Sequence, residues 1–532
     1  MKTIKQLLIT VAVLLCSVTA NAYDFEVDGI YYNILSASDL TVCVTSGDNK
    51  YTGEVIIPST VTYKSRTLTV KAIGGHAFEN CSIESISIPE SVMTVYNYAF
   101  QNCLLSNLRI EDGTRTLTLG FNYYDTHSMG EGLFYDCPIE TLYLGRNLSY
   151  DTDYDKGYSP FYNKTTLTSV TIGNNVTNIG NKAFYGCTGL KEVHISDLAA
   201  WCNIDFESNP LSYAKNLYLN GKLVQDLVIP NSVEYIKDNA FENCNALTSV
   251  TIPNSVAGIG DNTFSGCTGL KRIEINCATI NSTFAGFSCI KEVVIGNSVT
   301  KIGGLAFYGC TGLTDVEIPN SVTSIETQAF DGCTGLKSVT IGNGVTKIGS
   351  YAFSDCTGLT DVEIPNSVTS IEKRTFYNCF RLTNLTIGNS VKSIGERALY
   401  NCDKLRSIYF LGETPPTVEG YYNFIESQYI DMTLYVPLGS LSAYQTADVW
   451  KNFWDIQEFD VTGIDDVNTN DIAIAVTANG IALLNVDGKA VSIYTTNGTQ
   501  VANINSYTGE EITLDKGIYV LRIGNKTTKV KI

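Results

Sequence analysis

The chain has 532 residues and a formal net charge of -18, with 36 Lys and Arg against 54 Asp and Glu. An acidic chain with no basic run repels phosphate groups, so neither nucleic acid nor an anionic membrane surface is expected as a partner. The length allows several domains, and 44 Gly, 32 Tyr and only 17% charged residues favour a β-rich architecture over a helical bundle.

Residues 1–22 have the pattern of a secretory signal peptide. Lys2 and Lys5 precede an apolar run that starts at Leu7, and Ala20-Asn21-Ala22 fits an A-x-A cleavage site. No later segment reaches the roughly 18 apolar residues that a membrane helix needs. We therefore expect a mature chain that starts at Tyr23, has no membrane-spanning segment and is secreted to the extracellular space or the outer cell surface.

A phrase of 23 residues repeats along the centre of the chain. "CTGLTDVEIPNSVTSIE" starts at Cys310 and again at Cys356, with a looser copy from Cys333 halfway between them. A fixed period of this length predicts a solenoid, because no single unit can bury its own apolar side. The alternation in L-x-x-V-x-I, stopped by Pro or Gly and then Asn, predicts one short strand per turn.

The repeat carries three columns of equivalent residues: an aromatic anchor, a Cys three positions later and an Asn at the turn. The aromatic anchors are Phe78, Phe100, Phe134, Phe161, Phe184, Phe241, Phe264, Phe284, Phe307, Phe330, Phe353 and Phe376, with Leu399 in the same slot. Two repeats are degenerate, since Lys164 stands where Cys is expected and another Cys is displaced to Cys289. The ladder cysteines are expected to be buried thiols, because parallel Cβ vectors do not give the torsion of a disulfide. A Cys277–Cys289 bridge stays open, and the Asn column is interpreted as structural.

These motifs, above all AFxxCxxLxxVxIPNSVxxIG, resemble the BspA-like leucine-rich repeats of bacterial surface proteins, over residues 73–410. "FEVDGIYYNIL" and "GEVIIPSTV" resemble that family's lead-in, so residues 23–72 are expected to form an N-terminal β cap. "TLYVPLGSLSAYQTADVWKNFWDIQEF" resembles its closing segment, a cap over residues 411–459. The resemblance implies an adhesin-like binding protein whose partners are host extracellular matrix or mucin glycoproteins, or other bacterial surfaces.

Two insertions break the period, and neither carries a clear catalytic signature. "DLAAWCN" in the second insertion predicts a short helix projecting from the solenoid. Asp151-Thr-Asp153-Tyr-Asp155-Lys-Gly157 is similar to the front of a calcium loop, but its Gly comes one place late and Tyr162 replaces the closing Glu. His76, His127 and His194 lack metal-ligand spacing. We expect no cofactor and no enzyme; the alternative is a carbohydrate- or peptide-processing accessory or enzyme with its chemistry in an insertion.

A different domain follows a polar linker at residues 460–471. Asn479-Gly480, Asp487-Gly488 and Asn497-Gly498 predict hairpin turns between some seven short strands, which indicates a small β-sandwich over residues 472–532. Its sequence resembles the C-terminal sorting domain of type IX secretion cargo, which implies export by that secretion machinery. The matching residues are Lys516, Gly517, Tyr519, Lys526 and Lys529. The alternative is an ordinary immunoglobulin-like module. The predicted fold class is therefore mainly β, a leucine-rich repeat solenoid followed by this sandwich.

The middle residue of each V-x-I strand should point away from the solenoid core, because side chains alternate along a strand. Across successive repeats these residues form a column that is our candidate binding face. Its candidate residues are Glu317, Thr340, Glu363, Thr386 and Tyr409, preceded in the same column by Thr251, Glu274 and Val294. Variable turn residues near it add Tyr308, Tyr351, Tyr377 and Tyr400. The alternative interpretation is that Thr and Glu merely suit a solvated strand.

Overall fold

The structure is a computed structural model of the chain. The structure describes residues 23–120, 133–134, 136–151, 159–420, 423–460, 473–477, 480–484, 486, 491–495, 500–505, 507–514, 518–523 and 526–531. The predicted signal peptide, most of the calcium-like stretch, the linker after Asp460, Lys516 and Gly517 lie outside these residues. The chain divides into two compact units, which are Met1–Thr248 with Gly258–Gly269, and Ser249–Ala257 with Leu270–Ile532.

The first unit is built from two parallel ladders of strands, each with antiparallel neighbours at its end. One ladder holds longer strands: Thr52–Ile56, Ser82–Ile88, Asn107–Ile110, Thr141–Leu144, Ser169–Ile172, Glu192–Ile195 and Leu217–Leu219, closed by Lys222–Leu223. The other ladder begins with five strands near the N-terminus: Phe25–Val27, Ile30–Ser36, Thr41–Thr45, Thr60–Tyr63 and Arg66–Ile73. It continues with three short strands: Thr94–Val95, Leu117–Leu119 and Leu148–Ser149. Further strands are Asn178–Ile179 paired with Asp205–Phe206, Tyr235–Ile236 paired with Gly258–Ile259, and Asp226–Val228.

The second unit repeats the same arrangement more regularly. Its longer strands are Ser249–Ile252, Arg272–Ile275, Glu292–Ile295, Asp315–Ile318, Ser338–Ile341, Asp361–Ile364, Asn384–Ile387, Ser407–Phe410, Thr433–Pro437 and Asp455–Asp460. Its short strands are Thr279–Ile280, Lys301–Ile302, Ser324–Ile325, Lys347–Ile348, Ser370–Ile371, Ser393–Ile394 and Thr417–Val418. Helices in the described residues are Leu198–Cys202, Leu211–Ala214, Glu426–Asp431 and Leu441–Thr446, with 3-10 turns at Ser282–Phe284 and Trp450–Asn452.

Each turn of the solenoid therefore carries two strands, and the prediction of one strand per turn was wrong. The V-x-I segment forms the longer strand, and the following V-x-x-I segment forms a two-residue strand such as Ser324–Ile325. That second segment pairs in register with its neighbours, for example Ile325 with Ile348. Two residues are too few to produce a visible alternation in the sequence. The leucine-rich repeat solenoid itself is confirmed.

The aromatic and cysteine columns form the core of the solenoid. The rings of Phe330, Phe353 and Phe376 stack with centroids 5.3 Å and 5.6 Å apart, and all three are fully buried. The ladder thiols are buried, and those of the regular repeats from Cys310 to Cys402 each donate to the carbonyl of the preceding repeat's anchor Phe, as Cys356 Sγ does to Phe330 O at 3.2 Å. Cys277 is a free thiol that donates to Thr279 O, so the Cys277–Cys289 bridge is not formed.

The degenerate repeat at Lys164 keeps the same hydrogen bond with a different donor. The buried Lys164 ammonium donates to Phe134 O, the carbonyl that a ladder thiol would contact, and to Cys137 O at 3.3 Å. Burial lowers the pKa of this ammonium. A lysine can thus replace the thiol because its amine reaches the same acceptor.

The Asn column has the structural role that its position predicted. Asn320 Oδ1 accepts from the backbone N–H of Asn343 in the next repeat, and Asn366 Oδ1 accepts from that of Asn389, both at 2.8 Å. Each amide thus satisfies a turn donor that strand pairing does not reach.

The second insertion is part of the solenoid. Its helix Leu198–Cys202 forms as predicted, with the side chain of Asp197 accepting from the first backbone N–H groups. The helix packs inward, however, because Trp201 is buried and its Nε1 donates to Ala240 O at 2.9 Å. The expectation of a projecting helix was therefore wrong.

The C-terminal strands continue the longer-strand sheet of the second unit. Asp455–Asp460 pairs in parallel with Thr433–Pro437 and antiparallel with Ala473–Thr477, which is followed by Gly480–Leu484 and Ile512–Thr513. A second sheet has the order Gln500–Ile504, Val491–Thr495, Ile518–Ile523, Lys526–Lys531. Side chains from both sheets, including Ile481, Leu483, Ile493 and Leu521, share one apolar cluster.

Candidate functional site

The outward face of the longer strands is the candidate site, and the two units present different chemistry on it. We call the column Ser87, Arg109, Tyr143, Thr171, His194 and Tyr218 in the first unit the N-terminal row. We call the column Thr251, Glu274, Val294, Glu317, Thr340, Glu363, Thr386 and Tyr409 in the second unit the C-terminal row. The parallel register places neighbouring members side by side.

The C-terminal row contains the five candidate residues, and the structure leaves three of them accessible. Glu317 is exposed, and Thr340 and Glu363 are half-buried on the outer side of their strands. Thr386 and Tyr409 are buried, with 5% and 4% of their surfaces exposed. The expectation that the whole column is open was wrong for these two residues.

Tyr409 is buried because the C-terminal strands cover it. Its ring stacks on Tyr435 with centroids 4.4 Å apart and meets Phe459 edge-on at 5.9 Å. Ala482 from the C-terminal domain completes this cluster. The side chain does point away from the solenoid core, as alternation requires, but it meets protein there instead of solvent.

Salt bridges mark the beginning of the C-terminal row. Arg272 Nη2 pairs with Glu274 at 3.1 Å and its Nε pairs with Glu292 at 3.0 Å, so this guanidinium already has two carboxylate partners. Thr and Glu dominate the accessible residues that follow. This part of the face suits hydrogen bonding to a polar ligand.

The N-terminal row has aromatic and cationic side chains. The guanidinium carbon of the exposed Arg109 lies 3.8 Å from the ring centroid of Tyr143, and Tyr143 donates to Asp112 Oδ2 at 2.7 Å. His194 stacks on Tyr218 at 4.8 Å and pairs with Glu192 at 3.0 Å. Burial, followed by the hydrogen bond to Asp112, raises the pKa of Tyr143. Such side chains combine large contact area with polar groups and are enriched in binding surfaces.

The 23-residue spacing of the sequence does not reveal the N-terminal row. Its residues occupy the same middle position of the strand motif, as Arg109 does in "LRI", Tyr143 in "LYL" and His194 in "VHI". The insertions interrupt the 23-residue spacing in this part of the chain, and that spacing is what identifies the C-terminal row in the sequence. Applying the strand motif alone, without the spacing, would have found them.

The variable tyrosines lie in the turns and form a separate stack. Arg374 lies between the rings of Tyr351 and Tyr377, at 5.4 Å and 5.2 Å from their centroids, and Tyr377 stacks on Tyr400 at 5.7 Å. Arg374 Nη1 also donates to the Tyr351 hydroxyl at 2.8 Å. Tyr308 is 43% exposed. The contacts of Arg374 stabilise neighbouring turns. Tyr308 belongs to neither row, so it can serve as a control residue in binding experiments.

Across the described ranges, no group of three or more His, Cys, Asp or Glu side chains is placed to hold a metal ion. None of the helices that the structure describes is long and apolar enough to cross a bilayer.

The repeated two-strand turns and the stacked Phe column define a leucine-rich repeat solenoid. The sequence matches the family described as "BspA type Leucine rich repeat region", in six copies, over residues 59–155, 155–214, 212–337 and 304–417. The chain belongs to this family.

Solved structures of leucine-rich repeat proteins are also similar to this chain. A leucine-rich repeat protein from Bacteroides ovatus is 25% identical, covers 73% of this chain and 94% of its own, and superposes with a TM-score of 0.36. A leucine rich cell surface protein from Faecalibacterium prausnitzii is 24% identical, with coverages of 74% and 96% and a TM-score of 0.28. The pneumococcal vaccine antigen PcpA is 17% identical, with coverages of 82% and 99% and a TM-score of 0.24. No curated protein gives a significant match.

Proposed function

We propose that this protein is an adhesin-like binding protein of the bacterial cell surface that recognises its partners through the outward face of the longer strands. The observation that carries the proposal is the N-terminal row, where aromatic, cationic and hydroxyl side chains lie in register on neighbouring strands. Membership of the BspA-type repeat family supports a binding role. Candidate partners are host extracellular matrix or mucin glycoproteins, and the surfaces of other bacteria.

Two sequence features support secretion as part of this proposal. The signal-peptide pattern of residues 1–22 would direct the chain out of the cytoplasm. The C-terminal domain, by its resemblance to type IX sorting domains, would pass it across the outer membrane. The mature protein would then act at the cell surface.

The test is a capture assay with the mature chain from Tyr23 immobilised and matrix proteins, mucin and intact bacteria offered in turn. Tyr143→Ala with Tyr218→Ala should weaken capture at least tenfold if the N-terminal row is the contact. Glu317→Ala with Glu363→Ala tests the accessible part of the C-terminal row in the same way. The matched control is Tyr308→Ala, which removes an exposed tyrosine that belongs to neither row.

Failure to capture any of these targets would contradict the proposal. Loss of capture with Tyr308→Ala, together with normal capture by both row variants, would move the contact to the turns. Unchanged thermal unfolding of each variant is required, because a folding defect would also reduce capture.

A further inference from the structure

A shallow groove runs over the first four repeats of the N-terminal row. Its volume is about 210 Å³, and it crosses the strands Ser82–Ile88, Asn107–Ile110, Thr141–Leu144 and Ser169–Ile172. Hydroxyl and amide side chains line it together with Arg109 and Tyr143. The hydroxyl and amide residues are Ser85, Ser87, Asn107, Thr141, Ser169 and Thr171.

Arg109 is the unusual residue of this groove. Its exposed guanidinium stacks on Tyr143, and no carboxylate of the described residues lies within ion-pair distance of it. Arg272, which begins the strand Arg272–Ile275, contrasts with it because Glu274 and Glu292 both form ion pairs with its guanidinium. Stacking on Tyr143 fixes the plane of Arg109. Besides this contact with Tyr143, its N–H groups can meet a planar, bidentate acceptor such as a carboxylate.

The acidic side chains near the groove are arranged as hydrogen-bond acceptors. Asp112 accepts from the Tyr143 hydroxyl at 2.7 Å, and Glu111 accepts from Ser87 Oγ at 2.9 Å. Glu54 lines the groove on the Thr52–Ile56 strand, which is separated from the strand of Arg109 by Ser82–Ile88. The groove thus offers one unpaired cation among acceptors and hydroxyl groups, and it suits a ligand with several hydroxyls and a single carboxylate.

The backbone of the sheet favours a sugar over a peptide in this position. The strands beneath the groove pair on both sides with their parallel neighbours, so their N–H and C=O groups are already engaged. A peptide that adds to a sheet needs an open edge and its backbone groups. Recognition on this face must therefore come from side chains alone. The hydroxyl and amide side chains of the groove can donate and accept hydrogen bonds, as the closely spaced hydroxyl groups of a saccharide require.

We propose that this groove binds glycans through an acidic sugar residue, with Arg109 pairing with the sugar carboxylate and Tyr143 and the hydroxyl side chains contacting its ring. The inference rests on the proposed binding function and specifies the ligand class of its N-terminal row. Arg109, stacked on Tyr143, is then the residue that determines specificity.

The test is calorimetric titration of the mature chain with sialyllactose and a glucuronate-containing tetrasaccharide, with lactose as the neutral counterpart. We expect the acidic sugars to bind at least tenfold more tightly than lactose. Arg109→Ala should remove that preference, and Arg109→Lys should restore only part of it, because an ammonium lacks the bidentate geometry. Arg272→Ala is the matched control and should bind like the unchanged protein.

Equal binding of lactose and the acidic sugars, or normal binding by Arg109→Ala, would overturn the inference. Equal competition by a poly-glutamate peptide would also overturn it, because the groove would then recognise carboxylates on peptides. If the chain captures matrix glycoproteins while none of these sugars binds, the inference fails and the proposed function stands. If nothing is captured and no sugar binds, both fail. Thermal unfolding of Arg109→Ala should be unchanged, since the side chain is exposed.

Discussion

At the scale of single residues, the repeat depends on a left-handed backbone position directly before the ladder cysteines of the second unit. This slot holds Gly309 (φ 66°), Gly332 (φ 74°), Asp355 (φ 54°) and Asn378 (φ 61°), the residue types that tolerate positive φ. The backbone conformation, more than side-chain contact, therefore restricts the sequence at this slot.

Gly309→Ala should lower the free energy of unfolding by about 1–2 kcal/mol, because a Cβ is strained at this φ. Lack of space is not the cause, since the nearest atom to an added Cβ would be Gly286 Cα at 3.7 Å, an ordinary van der Waals contact. Gly309→Asn is the control and should be close to neutral, as Asn occupies the same slot elsewhere. Urea unfolding of the three proteins measures the difference, and equal losses for Ala and Asn would show that strain is not the reason.

The buried thiols make the fold sensitive to alkaline pH. Burial raises the pKa of Cys310 and that of Cys402 to about 12 each. Below about pH 9 these thiols are protonated in both the folded and the unfolded chain, so their contribution to stability is complete. Between about pH 9 and pH 12 only the unfolded chain ionises, so stability falls as the pH rises.

We expect the free energy of unfolding to fall by about 1.4 kcal/mol per pH unit for each such thiol once the unfolded chain is ionised. Urea unfolding at several pH values between 8 and 11 should show this decline, and Cys402→Ala should make it shallower by one thiol. An unchanged slope in that variant would contradict the assignment. Alkylation at pH 8 gives an independent readout: the ladder thiols should react only after denaturation.

At the scale of elements, each turn is stabilised by the turns on either side of it. Phe353 has its ring between those of Phe330 and Phe376, and it has no exposed surface. Stability of such a stack is a sum of local and nearest-neighbour contributions. Damage at one turn should therefore spread mainly to its neighbours.

Phe353→Ala should cost about 3–5 kcal/mol, since it opens a cavity between two stacked rings. Phe353→Leu should cost less, because Leu399 naturally occupies the same slot. Hydrogen exchange followed by mass spectrometry should show faster exchange in the turns around Phe330 and Phe376 than in the remaining repeats. Uniformly faster exchange along the chain would instead indicate a fully cooperative fold.

At the scale of the whole molecule, the C-terminal domain protects an edge and an aromatic cluster of the second unit. The strand Ala473–Thr477 pairs with Asp455–Asp460, and Ala482 covers Tyr409, Tyr435 and Phe459. An uncovered sheet edge beside an apolar patch promotes association between chains.

Removal of residues 472–532 should therefore leave a folded but self-associating solenoid. Light scattering coupled to size-exclusion chromatography should detect oligomers, and circular dichroism should show that the β content of the repeats is retained. Tyr435→Ser in the shortened chain should reduce association by making the exposed cluster more polar. A shortened chain that stays monomeric would contradict this role of the domain.

The same deletion tests the proposed export route in the producing bacterium. Without the C-terminal domain, the chain should accumulate in the periplasm, where antibodies added to intact cells cannot reach it. Detection after outer-membrane permeabilisation is the positive control for expression. Normal surface labelling of the deleted chain would contradict a sorting function.

The sequence alone determined the solenoid, because its repeat columns are local and periodic. Phe353, Cys356 and Asn366 recur at fixed offsets, and each performs in the structure the buried or turn role that its column predicted. The helix at Leu198–Cys202 was also predictable, since Asp197 precedes an apolar stretch as an N-cap.

Only the tertiary structure decided which part of the strand face is accessible. Alternation along a strand predicts that Tyr409 and Glu317 point the same way. It cannot predict that side chains from segments 26 to 73 residues beyond Tyr409 pack over that ring and leave Glu317 exposed. Likewise, Arg109 and Tyr143 are 34 positions apart across an irregular insertion, and parallel pairing in register brings them together. Contacts of this kind depend on how distant segments pack, for which no local pattern in the sequence carries a signal.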